Sequence, residues 1–112
     1  MSRFERLICI ANRLAEIKAG SAVADETLHQ TIDRSGPVLP YTTDEAAART
    51  LLPPGFEWAP ATYMARSVYA MCRRTGRAAD GLPHRHIDQW GRTLALSMCG
   101  AAMRAWAMLA KG

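Results

Sequence analysis

Residues 41–56 read Tyr-Thr-Thr-Asp-Glu-Ala-Ala-Ala-Arg-Thr-Leu-Leu-Pro-Pro-Gly-Phe. Thr42 precedes Glu45 by three positions, the spacing of a capping box. In that motif the hydroxyl accepts from the Glu45 amide and the carboxylate reaches back to the Thr42 amide. Asp44 and Glu45 place negative charge in the first turn, where the helix dipole favours it. Ala46, Ala47 and Ala48 are the strongest helix formers. Ala47 shares a face with Leu51, and Ala48 shares the adjoining face with Leu52. Pro53 ends the helix and biases Leu52 towards extended backbone. Pro54-Gly55 then reads as a turn. The stretch predicts a short amphipathic helix that delivers the chain into a sheet.

Upstream, Phe4, Leu7, Ile8, Ala11, Leu14 and Ala15 recur at three- and four-residue intervals. This predicts a helix over 3–19, with Ser2 as its N-cap and Gly20 as its stop. Ile10 and Ile17 widen the apolar stripe enough to admit a homodimer or partner seam. Ser21 predicts the cap of a second helix over 22–32, carrying Val23, Leu28 and Ile32. His29 stands alone there and reads as an exposed polar side chain. Residues 33–37 form a loop by composition, and Val38-Leu39-Pro40 is an extended lead into Tyr41.

Downstream, the period changes from helical to alternating. Phe56 and Trp58 point one way, and Pro60 demotes this strand to an edge or bulged one. Residues 67–74 form the clearest strand, with Val68, Ala70 and Cys72 alternating with Tyr69, Met71 and Arg73. Residues 84–90 predict a third strand that places His84, His86 and Asp88 on one face. Thr93 caps a last helix over 94–110 that is apolar nearly all round, with a narrow polar stripe of Ser97, Arg104 and Lys111. Such a helix is buried or packs on two surfaces. As a membrane span it is short and carries the charge of Arg104.

The predicted architecture is α+β in one domain, 1–112. A helical N-terminal extension, 1–37, forms a hairpin. The core, 38–112, is a short helix, a small antiparallel sheet of two or three strands, and a long C-terminal helix packed on it.

Cys9, Cys72 and Cys99 are widely spaced in apolar settings. An odd count without a CxxC pair predicts buried free thiols in a reducing compartment. Arg3, Glu5, Arg6 and Arg13 interrupt the apolar residues at the N-terminus, so no signal peptide is expected and the location reads as cytoplasmic. The formal charge of +4 is uneven: residues 1–65 carry −2 and residues 66–112 carry +6. An acidic partner or nucleic acid is the natural complement of such a half, beside the plainer reading of a solvated arginine-rich face.

No phosphate-binding glycine loop, nucleophile elbow, HExxH motif or paired-cysteine motif occurs in the chain, so neither catalysis nor a cofactor is expected. The one candidate metal site is His84, His86 and Asp88, on a spacing that any polar strand face produces. Arg66, Arg73, Arg74, Arg77 and Arg85, with Tyr69 and Trp90 as aromatic anchors, are the candidate partner-binding residues. Arginines and aromatics are what protein hot spots favour; the same arginines with Arg92, and Tyr63 interleaved with Tyr69 and Trp90, would also hold phosphates and stack on bases. The helix–sheet–helix order is similar to that of double-stranded RNA-binding domains, but their lysine-rich second-helix start is absent.

Two separated blocks carry a family resemblance. The first is Tyr41-Thr42 with Ala47, Leu51, Pro53, Gly55 and Phe56. The second is Ala95-Leu96-Ser97-Met98-Cys99-Gly100-Ala101-Ala102-Met103-Arg104-Ala105. Together they resemble the phage α-β-α sandwich domain of small phage and prophage accessory proteins. The chain departs from that pattern in Phe56, where tryptophan is common, and in its long basic insert, 73–85. The resemblance implies a phage or prophage origin and a bacterial host cell, and assigns no residue a role. By analogy with other such proteins it implies a binder of a host protein or ribonucleoprotein that acts as a counter-defence inhibitor. Direct nucleic-acid binding and sequestration of a small nucleotide signal between subunits are the alternatives.

Overall fold

The computed structural model describes residues 1–111. Its elements are α1 (Arg3–Glu16), α2 (Ala22–Thr31), α3 (Glu45–Arg49), β1 (Phe56–Tyr63), β2 (Val68–Arg74), β3 (Ile87–Gly91) and α4 (Leu94–Lys111). The three strands form one antiparallel sheet in the order β1-β2-β3. The long helix α4 packs on β2 and β3, so the fold is α+β as the sequence predicts. Among the described residues no helix is long and apolar enough to cross a membrane.

The core is continuous from the N-terminal helix to the last one. Leu7, Ala11 and Leu14 of α1 share it with Leu28, Tyr41, Ala48 and Leu51, with Ala70 and Cys72 of β2, and with Leu96, Cys99, Ala101 and Met103 of α4. The principal neighbour of α1 is α4, and α1 also touches β3. Residues 1–37 therefore contribute to the same core as the sheet. The apolar circumference of α4 follows directly: one side meets the sheet and others meet α1 and α3.

Caps set the helix starts. The Ser2 hydroxyl accepts from the Glu5 amide, that of Ser21 from the Ala24 amide and that of Thr93 from the Leu96 amide, at 3.1–3.2 Å. The capping box expected at Thr42 and Glu45 does not form. Asp44 caps α3 through the Ala46 amide, because Thr42 is buried and engaged elsewhere. The Asp25 carboxylate of α2 accepts from the Thr42 amide at 2.8 Å and from its hydroxyl at 2.6 Å. The same hydroxyl oxygen accepts from the Ser21 amide. Gly20 does not cap α1, which ends at Glu16 with Ile17 extended. A Cβ at Gly20 would collide with the Thr42 carbonyl, so glycine there permits the close approach of these two segments.

His29, expected to be exposed, is buried, with Nδ1 at 2.7 Å from the Tyr41 hydroxyl. The carbonyl of Tyr41 in turn accepts from the Cys99 thiol of α4. Tyr41-Thr42 thus fastens α2 to α4. Beyond α3, Gly55 adopts φ +84°, the left-handed conformation the turn requires. The indoles of Trp58 and Trp106 donate to the Arg49 and Leu51 carbonyls, which satisfies acceptors at the C-terminal end of α3 that have no helical partner.

The strands behave largely as expected. β1 is both an edge and bulged, its pairing with β2 shifting between Ala59 and Thr62 around Pro60. β3 is shorter than predicted: His84, Arg85 and His86 have irregular backbone, and pairing begins at Ile87 opposite Cys72. Side chains alternate across a sheet. Ala70, Cys72 and Gln89 are buried on the side of α4. Tyr69, Met71, Arg73, Asp88 and Trp90 alternate with them and so occupy the opposite face.

The polar stripe of α4 faces inward in part. The Ser97 hydroxyl is buried and donates to the Val68 carbonyl at 2.6 Å. Gln89 donates to the Ala11 carbonyl at 2.8 Å and accepts from the Arg104 guanidinium at 2.6 Å. Arg104 also donates to the Asn12 side chain. One buried amide thereby joins β3, α1 and α4. Gly100 makes room for it, since a Cβ there would lie 2.5 Å from the Gln89 side chain.

Candidate functional site

The helices lie on one side of the sheet, and the other side is left to solvent. Tyr69 and Trp90 are direct cross-strand partners on that uncovered face, and Met71 pairs beside them with Asp88. Opposed side chains on neighbouring strands sit about 5 Å apart at Cβ, so both side chains emerge next to each other on this face. Trp90 is 48% exposed, a large fraction for an indole held in a strand. Arg73 stands two positions beyond Met71 on the same face, its guanidinium 2.8 Å from the Glu57 carboxylate of β1. A shallow depression borders this surface, lined by Glu57, Ala59, Met71, Arg73 and His86 among others.

The remaining candidate arginines are distributed around the sheet. Arg66 is exposed in the turn between β1 and β2. Arg92, which follows β3, lies at the same end because Val68 pairs with Gly91. Arg74 is on the helix side, paired with Phe56, and its guanidinium lies 5.6 Å from the centre of that ring. Its Nε is buried without a hydrogen-bond partner. Arg77 is held in its loop by donation to the Gly81 carbonyl, and Arg85 is exposed just before β3. The structure thus brings Tyr69, Trp90 and Arg73 together on one face and sets Arg66 at one end of it. It places Arg74 on the other face and Arg77 and Arg85 in the basic loop.

The candidate metal site is not assembled. His84 and His86 precede the strand, so the two-residue alternation that would align them with Asp88 does not apply. His84 lines a depression with Arg74, Asp80 and Met108, whereas His86 lines the one beside Met71 and Arg73. Among the described residues no group of three His, Cys, Asp or Glu side chains is placed to hold a metal ion.

The thiols divide two ways. Cys9 is exposed on α1, against the expectation of burial, because it points away from the stripe that meets α4. Cys72 and Cys99 are buried. Burial pushes the Cys72 thiol up from its ordinary 9.0 to about 12. The Cys99 thiol is likewise raised, first by burial and then by the nearby Asp25 carboxylate. Neither is a thiolate at neutral pH, and the thiolate is the nucleophilic form.

Thr62 was not singled out from the sequence: it is an ordinary strand residue until pairing places it beside Tyr69. Alternation already put Met71 on the side of Tyr69, and Arg92 already stood among the basic residues around the strands, but only the register sets Arg92 level with Arg66. The alternation of residues 68–73 was the available signal, but it does not say which face the helices cover. No family model, curated protein or solved structure matches the chain.

Proposed function

We propose that this is a non-catalytic binding protein of the phage accessory type, which blocks or sequesters a host protein or ribonucleoprotein through the uncovered face of its sheet. The observation that carries this reading is the Tyr69–Trp90 pair, half-open to solvent beside Met71 and Arg73. Tryptophan, tyrosine and arginine dominate interface energetics when they are desolvated by a partner. The fold has no internal use for these rings, since its core is complete on the other side. The phage setting rests on the resemblance of residues 41–56 and 95–105 to the α-β-α sandwich domain, and a counter-defence role rests on analogy with small phage proteins of that kind.

The test is capture from bacterial lysate by three immobilised chains: wild type, Tyr69→Ala/Trp90→Ala, and Glu16→Ala on the exposed side of α1. The wild type and the α1 variant retain a common partner that the double variant does not, while all three melt alike. Nuclease treatment of the lysate separates a protein partner from a ribonucleoprotein. Identical capture by all three chains, or capture by none, contradicts the reading.

A further inference from the structure

We infer that the uncovered sheet face is a stacking platform for single-stranded nucleic acid. The inference rests on the same face as the binding role above and names the chemistry of its partner. Three observations converge on it. Tyr69 and Trp90 are opposed across neighbouring strands on the uncovered face, Trp90 exposed and Tyr69 partly so, and they offer apolar surface beside only a shallow depression. Arginines stand at both ends of that surface and not within it. Arg66 and Arg92 flank the Val68–Gly91 end, and Arg73 lies about 17 Å from that end along β2, at five residues of about 3.4 Å each. Among the charges on this face and at its ends, Arg66, Arg73 and Arg92 outnumber Glu57 and Asp88.

A polyanion with planar bases fits that arrangement. Bases stack on aromatic rings without regard to sequence, and arginines along the path take the phosphates. Open sheets with paired aromatics hold two or three bases in this way. The acidic groups here do not oppose it equally. Glu57 engages only the Nε of Arg73, at 2.8 Å, which leaves the two terminal amino groups of that guanidinium for a phosphate. Asp88 is exposed beside the rings and directs the phosphates outwards to the arginines. A duplex is disfavoured because its base faces are already stacked internally, leaving the two rings without a partner. RNA and DNA single strands share the required chemistry, and the test treats them as separate arms.

The test uses the purified full chain and fluorescein-labelled oligo-U and oligo-dT of about 12 nucleotides, with a duplex of equal length as the contrast. Anisotropy is read at about 50 mM and about 200 mM salt. At least one single strand binds, and the duplex binds about tenfold or more weakly. Three phosphate contacts predict a loss of about 20-fold in affinity across that salt range, falling to about threefold in Arg66→Gln/Arg92→Gln. Trp90→Ala weakens binding about tenfold, and Trp90→Phe restores most of it. Melting curves of each variant keep a folding defect from being read as a binding defect, and the two arginines are exposed enough to be changed without one.

Absence of binding at low salt, equal binding of duplex and single strand, or indifference to Trp90→Ala overturns the inference. If no oligonucleotide binds while the face variant still loses a nuclease-resistant partner from lysate, the binding surface stands and its partner is a protein. If the chain self-associates through this face, so that Trp90→Ala yields a monomer from a dimer, both readings fall.

Discussion

Gln89 and Trp90 are neighbours on one strand and lead opposite lives. Gln89 is buried, and its amide is bonded to α1 and α4. Trp90 is half-exposed, and the ring opposite it belongs to another strand of the same open face. The two sides of the sheet differ in the same way throughout. On the helix side Ser97, Cys72 and Gln89 all find acceptors, and glycines at 91 and 100 let the backbones close in. On the other side large side chains stand in the open. A three-stranded sheet needs one buried face to be stable. Once α4 and α1 supply it, the second face is free to carry residues chosen for something other than folding.

That contrast can be broken most severely at Gln89. Gln89→Ala removes two hydrogen bonds at once, one to the Ala11 carbonyl and one of the two that hold the Arg104 guanidinium. Unfolding in denaturant is expected to show a loss of about 3 kcal/mol, since a neutral hydrogen bond contributes about 1 kcal/mol and one to a charged group about 1.5–3 kcal/mol. A chain within about 0.5 kcal/mol of wild type would mean that the amide is not a structural tie.

Alkaline pH attacks the same side. Cys72 and Cys99 have folded-state pKa values raised above the ordinary 9.0, so the folded chain holds protons that the unfolded chain gives up. Their stabilising contribution is fully present below about pH 9 and falls as pH rises from 9.0 towards about 12. The slope is about 1.4 kcal/mol per pH unit for each thiol. Melting followed from pH 8 to 11 in Cys72→Ala and wild type should show a shallower decline in the variant. Parallel curves would remove the thiol from the explanation.

Gly100→Ala pits two effects against each other. Alanine gains about 1 kcal/mol in helix propensity. The added Cβ, 2.5 Å from the held Gln89 side chain, costs about 1–3 kcal/mol by overpacking. The expected net change is a loss of about 1 kcal/mol, and a more stable variant would show that Gln89 moves aside freely. The smallest effect belongs to the open face. Asp88→Asn should leave the melting temperature unchanged to within about 0.5 kcal/mol of stability, as surface substitutions do. It should tighten single-strand binding by about threefold, by removing a negative charge beside the bases.

The sequence shows the frame of this molecule better than its ties. The start of α1, the alanine helix and the turn at Gly55 depend on neighbours in the chain and are legible in residues 1–56, although the helix stops at Arg49 and not at Pro53. Thr42 looks like a cap for the same reason. It fails to be one because Asp25, seventeen residues earlier, takes its amide and hydroxyl. His29 and Gln89 mislead likewise: each is polar in a mixed context, and each is buried by a partner that only the tertiary fold supplies. The uncovered face was half visible. Alternation put Tyr69 and Arg73 on a common side, but the register that sets Trp90 against Tyr69 is fixed by the β2–β3 pairing. The supposed metal-binding face dissolves because the strand begins only at Ile87.

The three indoles give the most direct reading of the central claim, which is that one face folds the protein and the other binds its partner. Trp58 and Trp106 donate to carbonyls at the C-terminal end of α3 on the helix side, and Trp90 stands on the open face. In a proton–nitrogen correlation spectrum of the labelled chain, a saturating single-stranded oligonucleotide should move the Trp90 indole signal and leave those of Trp58 and Trp106 in place. Movement of Trp58 or Trp106 with Trp90 unchanged would put the binding surface on the wrong side of the sheet and contradict the account.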